Sequence, residues 1–374
     1  MNEFEIIKFM KENKTIILHD TFLYKWGWER LMIMMQKALN CDLATWFVSK
    51  GSFDLKSEWV NKKIIEVSSE IFAKWFRHIK LKLAFLFKTS FLKDYDSVIF
   101  SGDCLSAVRN CSNNTKKIYY CHTPPRYLYD LRWEYLKKVK WYMKPAFEVI
   151  SYIFKKMYES DIKKMDLIIV NSINTGNRLK SFLGYDSVVV YPPVKLDEFK
   201  WQGQWDYYMS ASRLSSAKRI NNIIEAFKTM PNKKIILAYW ENDPQKDEYF
   251  ESAKWFDNII FKTYPWNILF KEDIWNSIAW IWVPIDEDFW MVSVESMAAW
   301  KPFLAVEEWG FKETVIHEKT GYLIPEWWAP DDIIKAINYL TPDKCLSMRK
   351  DCEIRAKDFS YEEFEKQINS YVNN

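Results

Sequence analysis

The chain has 374 residues, and 53 Lys and Arg against 50 Asp and Glu leave a net charge of only +3, so it lacks the polyelectrolyte character of a nucleic-acid binder. Hydrophobic residues make up 49% of it, ample for two buried cores, which excludes a disordered chain. Glycine is scarce at 8 residues, about 2% against a usual level of roughly 7%, while tryptophan reaches 20.

The first residues, Met1-Asn2-Glu3-Phe4-Glu5, are acidic and do not form a basic segment leading into an apolar one, so no secretory leader is expected. Short apolar runs then alternate with longer helical patterns, which predicts parallel α/β sheets. In the first half, strands are expected at Thr15 to His19, Ser97 to Phe100, Lys117 to Cys121, Leu167 to Val170 and Ser187 to Val190. The first of these leads into Trp26-Gly27-Trp28-Glu29-Arg30 and an apolar-rich helix, where Gly27 is a candidate for close approach of backbone to phosphate.

Two stretches, Phe72 to Lys93 and Tyr135 to Tyr158, are basic and apolar together. Each suits an ordinary domain helix with a charged face or a helix lying on an anionic membrane, and peripheral membrane contact is the expectation. His122, in Cys121-His122-Thr123-Pro124-Pro125-Arg126, directly follows a strand and precedes two prolines that restrict the backbone. A single histidine there is ordinarily a structural hydrogen-bonding residue.

The proline pair at Tyr191-Pro192-Pro193 marks a boundary, with Lys195 to Asp206 as linker. The expected division is 1–194, 195–360 and a terminal helix in 361–374. Second-half strands are expected at Tyr207 to Ala211, Lys234 to Ala238, Asn258 to Phe261, Ile278 to Val283 and Phe303 to Ala305, so the chain reads as two Rossmann-like halves. Arg213 and Lys218 flank the turn after the first of them, where open α/β sheets bind ligands and two cations can neutralise a diphosphate. Two such cations alone are more often a solvated helix start. Glu287 and Glu295 are separated by seven residues, the first in a loop and the second on the helix that follows. The N–H groups of Met291 and Val292 would face phosphate at that helix start if position 290 were glycine.

These residues resemble the retaining nucleotide-sugar glycosyltransferases of family 4. The matched pattern is Arg213 and Lys218, then Glu287 and Glu295, then Trp300-Lys301-Pro302 and Trp309-Gly310-Phe311-Lys312-Glu313. The resemblance implies a GT-B fold, an α/β architecture of two Rossmann-like domains facing each other across a cleft, and a metal-independent enzyme with no cofactor. It implies that Glu287 contacts the transferred sugar, Glu295 the ribose, and Arg213 with Lys218 the diphosphate. The His-Thr-Pro-Pro-Arg segment resembles a mannosyltransferase subgroup, in which His122 would face the reacting sugar and the donor would be GDP-mannose. The expected partners are a nucleotide-sugar donor and a glycan or polyprenyl-linked acceptor, with no nucleic acid, at a cytoplasmic location on the inner membrane face.

The departures at Trp290, Trp300 and Trp309 are all Trp where the family has Gly, and Trp26 and Trp28 flank Gly27 in the same way. Glycine belongs in such loops because it reaches φ > 0 without strain and admits close backbone approach. Glycine and tryptophan together come to about the ordinary glycine level. The expectation is that most of these tryptophans are glycines encoded by UGA.

Other readings remain at this stage. A non-catalytic sugar-nucleotide or glycan-binding protein gains weight if the tryptophans are genuine. Asp286-Glu287-Asp288 could form a carboxylate metal motif, and a Rossmann dehydrogenase would need a third spaced glycine after position 28 that is lacking. Six cysteines at irregular spacing, with no CxxC pair, fit a reduced compartment and no zinc site.

Overall fold

The computed structural model describes residues 13–23, 27–55, 62–69, 77–214, 218–241, 243, 245–263, 271–284, 291–308 and 310–373. The chain forms two compact units, Met1–Tyr191 with Phe364–Asn374, and Pro192–Glu363.

The first unit is built on seven parallel strands: β1 Thr15–His19, β2 Asp42–Thr45, β3 Ile64–Glu66, β4 Ser97–Ser101, β5 Lys116–Cys121, β6 Leu167–Val170 and β7 Val188–Val189. Their order is β3-β2-β1-β4-β5-β6-β7. The central strands are buried along their length because both faces are covered, which is why they read as continuous apolar runs and not as alternation. Ile16, Leu18, Val98, Phe100, Tyr119, Val170 and Trp46 share one core cluster.

The second unit carries six parallel strands: β8 Tyr207–Ala211, β9 Lys234–Tyr239, β10 Ile259–Thr263, β11 Trp280–Trp282, β12 Phe303–Val306 and β13 Gly321–Ile324. They lie in the order β10-β9-β8-β11-β12-β13. In both sheets the order reverses beside the first strand, and ligands of open α/β sheets bind at the carboxyl ends of strands near such a switch.

The C-terminal helix Tyr361–Asn373 buries Phe364, Ile368 and Val372. It docks on the first unit: Asn369 Nδ2 donates to Ala38 O at 3.0 Å, and Lys116 Nζ donates to the carbonyls of Tyr371 and Val372 at 3.0 and 3.1 Å. Those two carbonyls are among the last of the helix and would otherwise lack a helical partner.

Three described helices end in a left-handed residue, and one of these residues is a tryptophan. Helix Ile173–Leu183 begins at Ser172, whose side chain accepts from Thr175 N–H, and ends at Gly184 with φ +76°. Helix Gly27–Leu39 ends at Asn40 with φ +46°. Helix Met291–Ala298 ends the same way, but the left-handed residue is Trp300, at φ +61°. Trp300 N–H donates to Met297 O and Lys301 N–H to Ser296 O, both at 2.9 Å, the paired bonds of a turn that favours glycine at this position.

Candidate functional site

In the first unit, β1, β4 and β5 bring three polar side chains to their carboxyl ends. His19 and Ser101 are register partners across β1 and β4, and His122 follows β5. Ser101 Oγ lies 3.1 Å from His19 Nδ1 and 2.8 Å from His122 Nε2. Asp20 Oδ1 is 3.4 Å from His19 Nε2. Thr21 N–H donates to Asp20 Oδ1 at 2.6 Å and Asp103 N–H to Asp20 Oδ2 at 3.2 Å. Gly102, at φ +79°, makes this possible, because a Cβ there would stand 2.6 Å from Asp20 Oδ2.

His122 is 3% exposed, and burial with the neighbouring His19 pushes its pKa down to about 3. Burial also lowers His19, against the opposing pull of Asp20. Both rings are therefore neutral near pH 7. The His122 backbone is anchored by Thr175 Oγ1, which donates to its carbonyl at 3.2 Å. Trp28 stacks flat on the His122 ring, with centroids 4.8 Å apart and planes 8° from parallel. That indole is 47% exposed, so it forms a cover over the histidine and is no part of a packed core. Gly27 opens the helix that carries Trp28.

In the second unit, Arg213 is exposed just past β8, and Lys218 is half-buried in the turn before helix Ile220–Lys228. Burial pushes Lys218 down to about 8, and the charge of Arg213 adds to the effect. Lys218 Nζ lies 5.2 Å from the centre of the Trp282 ring on β11, and Arg219 Nη1 donates to Pro284 O at 3.4 Å. The loop after β8 is in this way tied to the end of β11.

Met291 and Val292 form the first turn of helix Met291–Ala298, and Glu295 is half-buried one turn later. Ser293 Oγ donates to Thr314 Oγ1 at 2.9 Å, linking this helix to the turn that contains Gly310 and Phe311. Glu287, Trp290 and Trp309, with Asp286 and Asp288, lie outside the described residues, as do Trp26 and residues 215–217. Lys301 is fully buried, its pKa pushed down to about 7 by burial, and Nζ donates to Gly203 O. Its part here is to hold the linker against the sheet.

Sequence reasoning singled out His122 and missed Asp20, His19 and Ser101. The available signal was positional: two of the three close neighbouring parallel strands at their carboxyl ends, and Asp20 follows one of them.

Residues 196–359 match the family model described as "Glycosyl transferases group 1". A 147-residue segment is 30% identical to lipopolysaccharide 1,2-N-acetylglucosaminetransferase of Salmonella typhimurium, covering 36% of this chain and 39% of that enzyme's length. Among solved structures, Alr3699/HepE of Anabaena in complex with UDP-glucose is similar with TM-score 0.70 and 15% identity, over 96% of this chain and 99% of that one. A glycosyltransferase of Rickettsia africae is similar with TM-score 0.70 and 14% identity, over 97% and 100%. The structural likenesses show the fold, two parallel-sheet α/β domains of the GT-B class. The sequence matches support a transferase enzyme.

Proposed function

We propose that the chain is a retaining, metal-independent glycosyltransferase of family 4 that moves a sugar from a nucleoside-diphosphate donor to a glycan or polyprenyl-linked acceptor. The observation that carries this reading is the pair Arg213 and Lys218 at the end of β8, inside the segment that matches the family model. Glycosyl transfer passes through an oxocarbenium-like state while negative charge grows on the departing diphosphate. Arg213, Lys218 and the N–H groups of Met291 and Val292 would stabilise that charge without a metal. Glu295 would accept from the ribose hydroxyls and Glu287 would address the sugar.

Mannose as the transferred sugar rests on the His-Thr-Pro-Pro-Arg segment, with His122 facing the sugar. A donor-hydrolysis screen across GDP-mannose, UDP-glucose and UDP-N-acetylglucosamine tests it, and turnover of UDP-sugars alone overturns the mannose assignment while sparing the transferase. On the active donor, Glu287→Gln is expected to reduce kcat more than nucleotide affinity, and Glu295→Gln chiefly the affinity. Equal effects of both variants on both parameters would break the two roles. Activity should persist in EDTA, and its loss would revive a metal at Asp286 and Asp288.

The recoding of tryptophan as glycine belongs to the same reading. Trp300 supports it, holding a left-handed conformation that costs a residue with a Cβ about 1–2 kcal/mol. So do Trp46, Trp201 and Trp275, whose buried indole N–H groups have no hydrogen-bond partner among the described residues. Codons decide the matter: UGG at 26, 28, 290, 300 and 309 would sink it. The Trp28 indole lying over His122 would then favour a non-catalytic binding protein.

Peripheral attachment to the cytoplasmic face of a membrane is the proposed location. It is supported by one exposed stretch of the first unit, where Tyr135, Tyr142 and Tyr152, which the recoding leaves in place, stand among Lys137, Lys138, Lys140 and Lys144. No helix among the described residues is long and apolar enough to cross a membrane. Vesicles containing anionic lipid should retain the protein, and a Tyr142→Ala/Tyr152→Ala variant should bind them several-fold more weakly. Equal retention on neutral vesicles would overturn the electrostatic part of this proposal.

A further inference from the structure

We propose that Asp20, His19 and Ser101 form a buried relay that holds His122 as its Nε2–H tautomer, leaving Nδ1 as a bare acceptor for a hydroxyl of the bound sugar. The inference rests on the reading that His122 faces the sugar, and it adds three positioning residues that act through His122.

The direction of the relay follows from proton counting. The Asp20 carboxylate, 3.4 Å from His19 Nε2, favours the proton on that nitrogen, which leaves Nδ1 with its lone pair. Ser101 has one hydroxyl proton, and giving it to His19 Nδ1 at 3.1 Å turns its oxygen into an acceptor toward His122 Nε2 at 2.8 Å. His122 must then carry its proton on Nε2. A neutral imidazole has only one N–H, so Nδ1 is an acceptor.

That atom is buried and has no hydrogen-bond partner among the described residues. Every other polar atom of the group is engaged: both Asp20 oxygens accept backbone N–H groups, and Thr175 Oγ1 donates to the His122 carbonyl. A buried acceptor left unpaired costs free energy, and a satisfied network around it is the arrangement expected where a ligand supplies the missing donor. Asp103, whose backbone N–H binds Asp20, pairs its own carboxylate with Lys82 at 2.6 Å, with His78 at 4.0 Å. Burial keeps both rings neutral, so the relay orders protons without storing charge. Among the described residues the Trp28 indole lies flat over the His122 ring, and glycine at 28 would remove that cover.

Nitrogen NMR of the 15N-histidine-labelled protein tests the relay without any substrate, and only four histidines need assignment. His122 should show a protonated Nε2 and an unprotonated Nδ1, unchanged between about pH 5 and 8. Ser101→Ala should mix the two tautomers or let the ring titrate in that window, and Ser101→Thr, which keeps the hydroxyl, should restore the parent spectrum. A protonated Nδ1 in the unsubstituted protein, or a Ser101→Ala spectrum identical to it, overturns the proposal.

Kinetics separate it from the reading beneath it. Ser101→Ala should lower kcat about tenfold or more with diphosphate affinity nearly unchanged, as for a group acting only in the transition state. If His122→Ala abolishes turnover while Ser101→Ala turns over normally, the relay falls and the role of His122 stands. If His122→Ala turns over normally, the role of His122 in the transfer falls, and the tautomer measurement still decides the relay.

Discussion

Alanine at Arg213 or at Lys218 is expected to weaken nucleoside-diphosphate binding by roughly 10- to 150-fold, since each removes a charge-assisted contact worth about 1.5–3 kcal/mol. The structure adds a pH signature. Burial and the charge of Arg213 hold Lys218 down at about 8, so part of the ammonium is lost as pH rises through that value. A diphosphate favours the charged form and raises the lysine pKa, so binding takes up a proton. Affinity should therefore fall as pH climbs above about 8, and calorimetry in buffers of different ionisation enthalpy should register the uptake. Arg213→Ala should shift that fall to higher pH by removing the like charge. Full affinity in both variants, or a binding constant flat across the window, would remove the two cations from the donor site.

Glycine at positions 28 and 300 together should produce the second large change. At 300 it relieves left-handed strain of about 1–2 kcal/mol against the loss of two contacts of that indole, Arg349 at 5.2 Å from the ring centre and the stacked Trp201 ring at 6.4 Å, so the net gain is below about 1 kcal/mol. At 28 it uncovers the His122 ring, and turnover should rise at least tenfold if the sugar must reach Nδ1. The two effects are separable, because Trp300→Gly should raise the melting temperature alone and Trp28→Gly the turnover. A melting temperature that drops on Trp300→Gly would mean that the left-handed turn is compatible with the indole. The recoding account would then lose the support of Trp300.

The central strands were legible because each is a short apolar run with a helical pattern on either side. Thr15–His19, Leu167–Val170 and Tyr207–Ala211 form as read. Strands β2, β3 and β13 were not. Asp42-Leu-Ala-Thr45 has little β-branched character, and Ile64–Glu66 is a partly exposed edge. Gly321 opens β13 so close to Phe303 that a Cβ would meet the Phe303 carbonyl oxygen at 1.9 Å. A glycine required by close approach looks, in one dimension, like a turn. The candidate site divides in the same way. Arg213, Lys218, Met291, Val292 and Glu295 stand at strand ends and a helix start that periodicity could place. The partners of His122 could not be found from spacing.

What the sequence determined by itself is what local chemistry encodes: the alternation of buried strands with helices, the turn residues and the terminal helix. Tertiary structure alone decided that Ser101 stands between His19 and His122, residues 82 and 21 positions away from it. It alone decided that the last helix returns to the first unit, 331 positions from Ala38. Strand order and register bring such groups together, and those are set by which apolar faces bury each other best across the whole chain. No window of neighbouring residues contains that information.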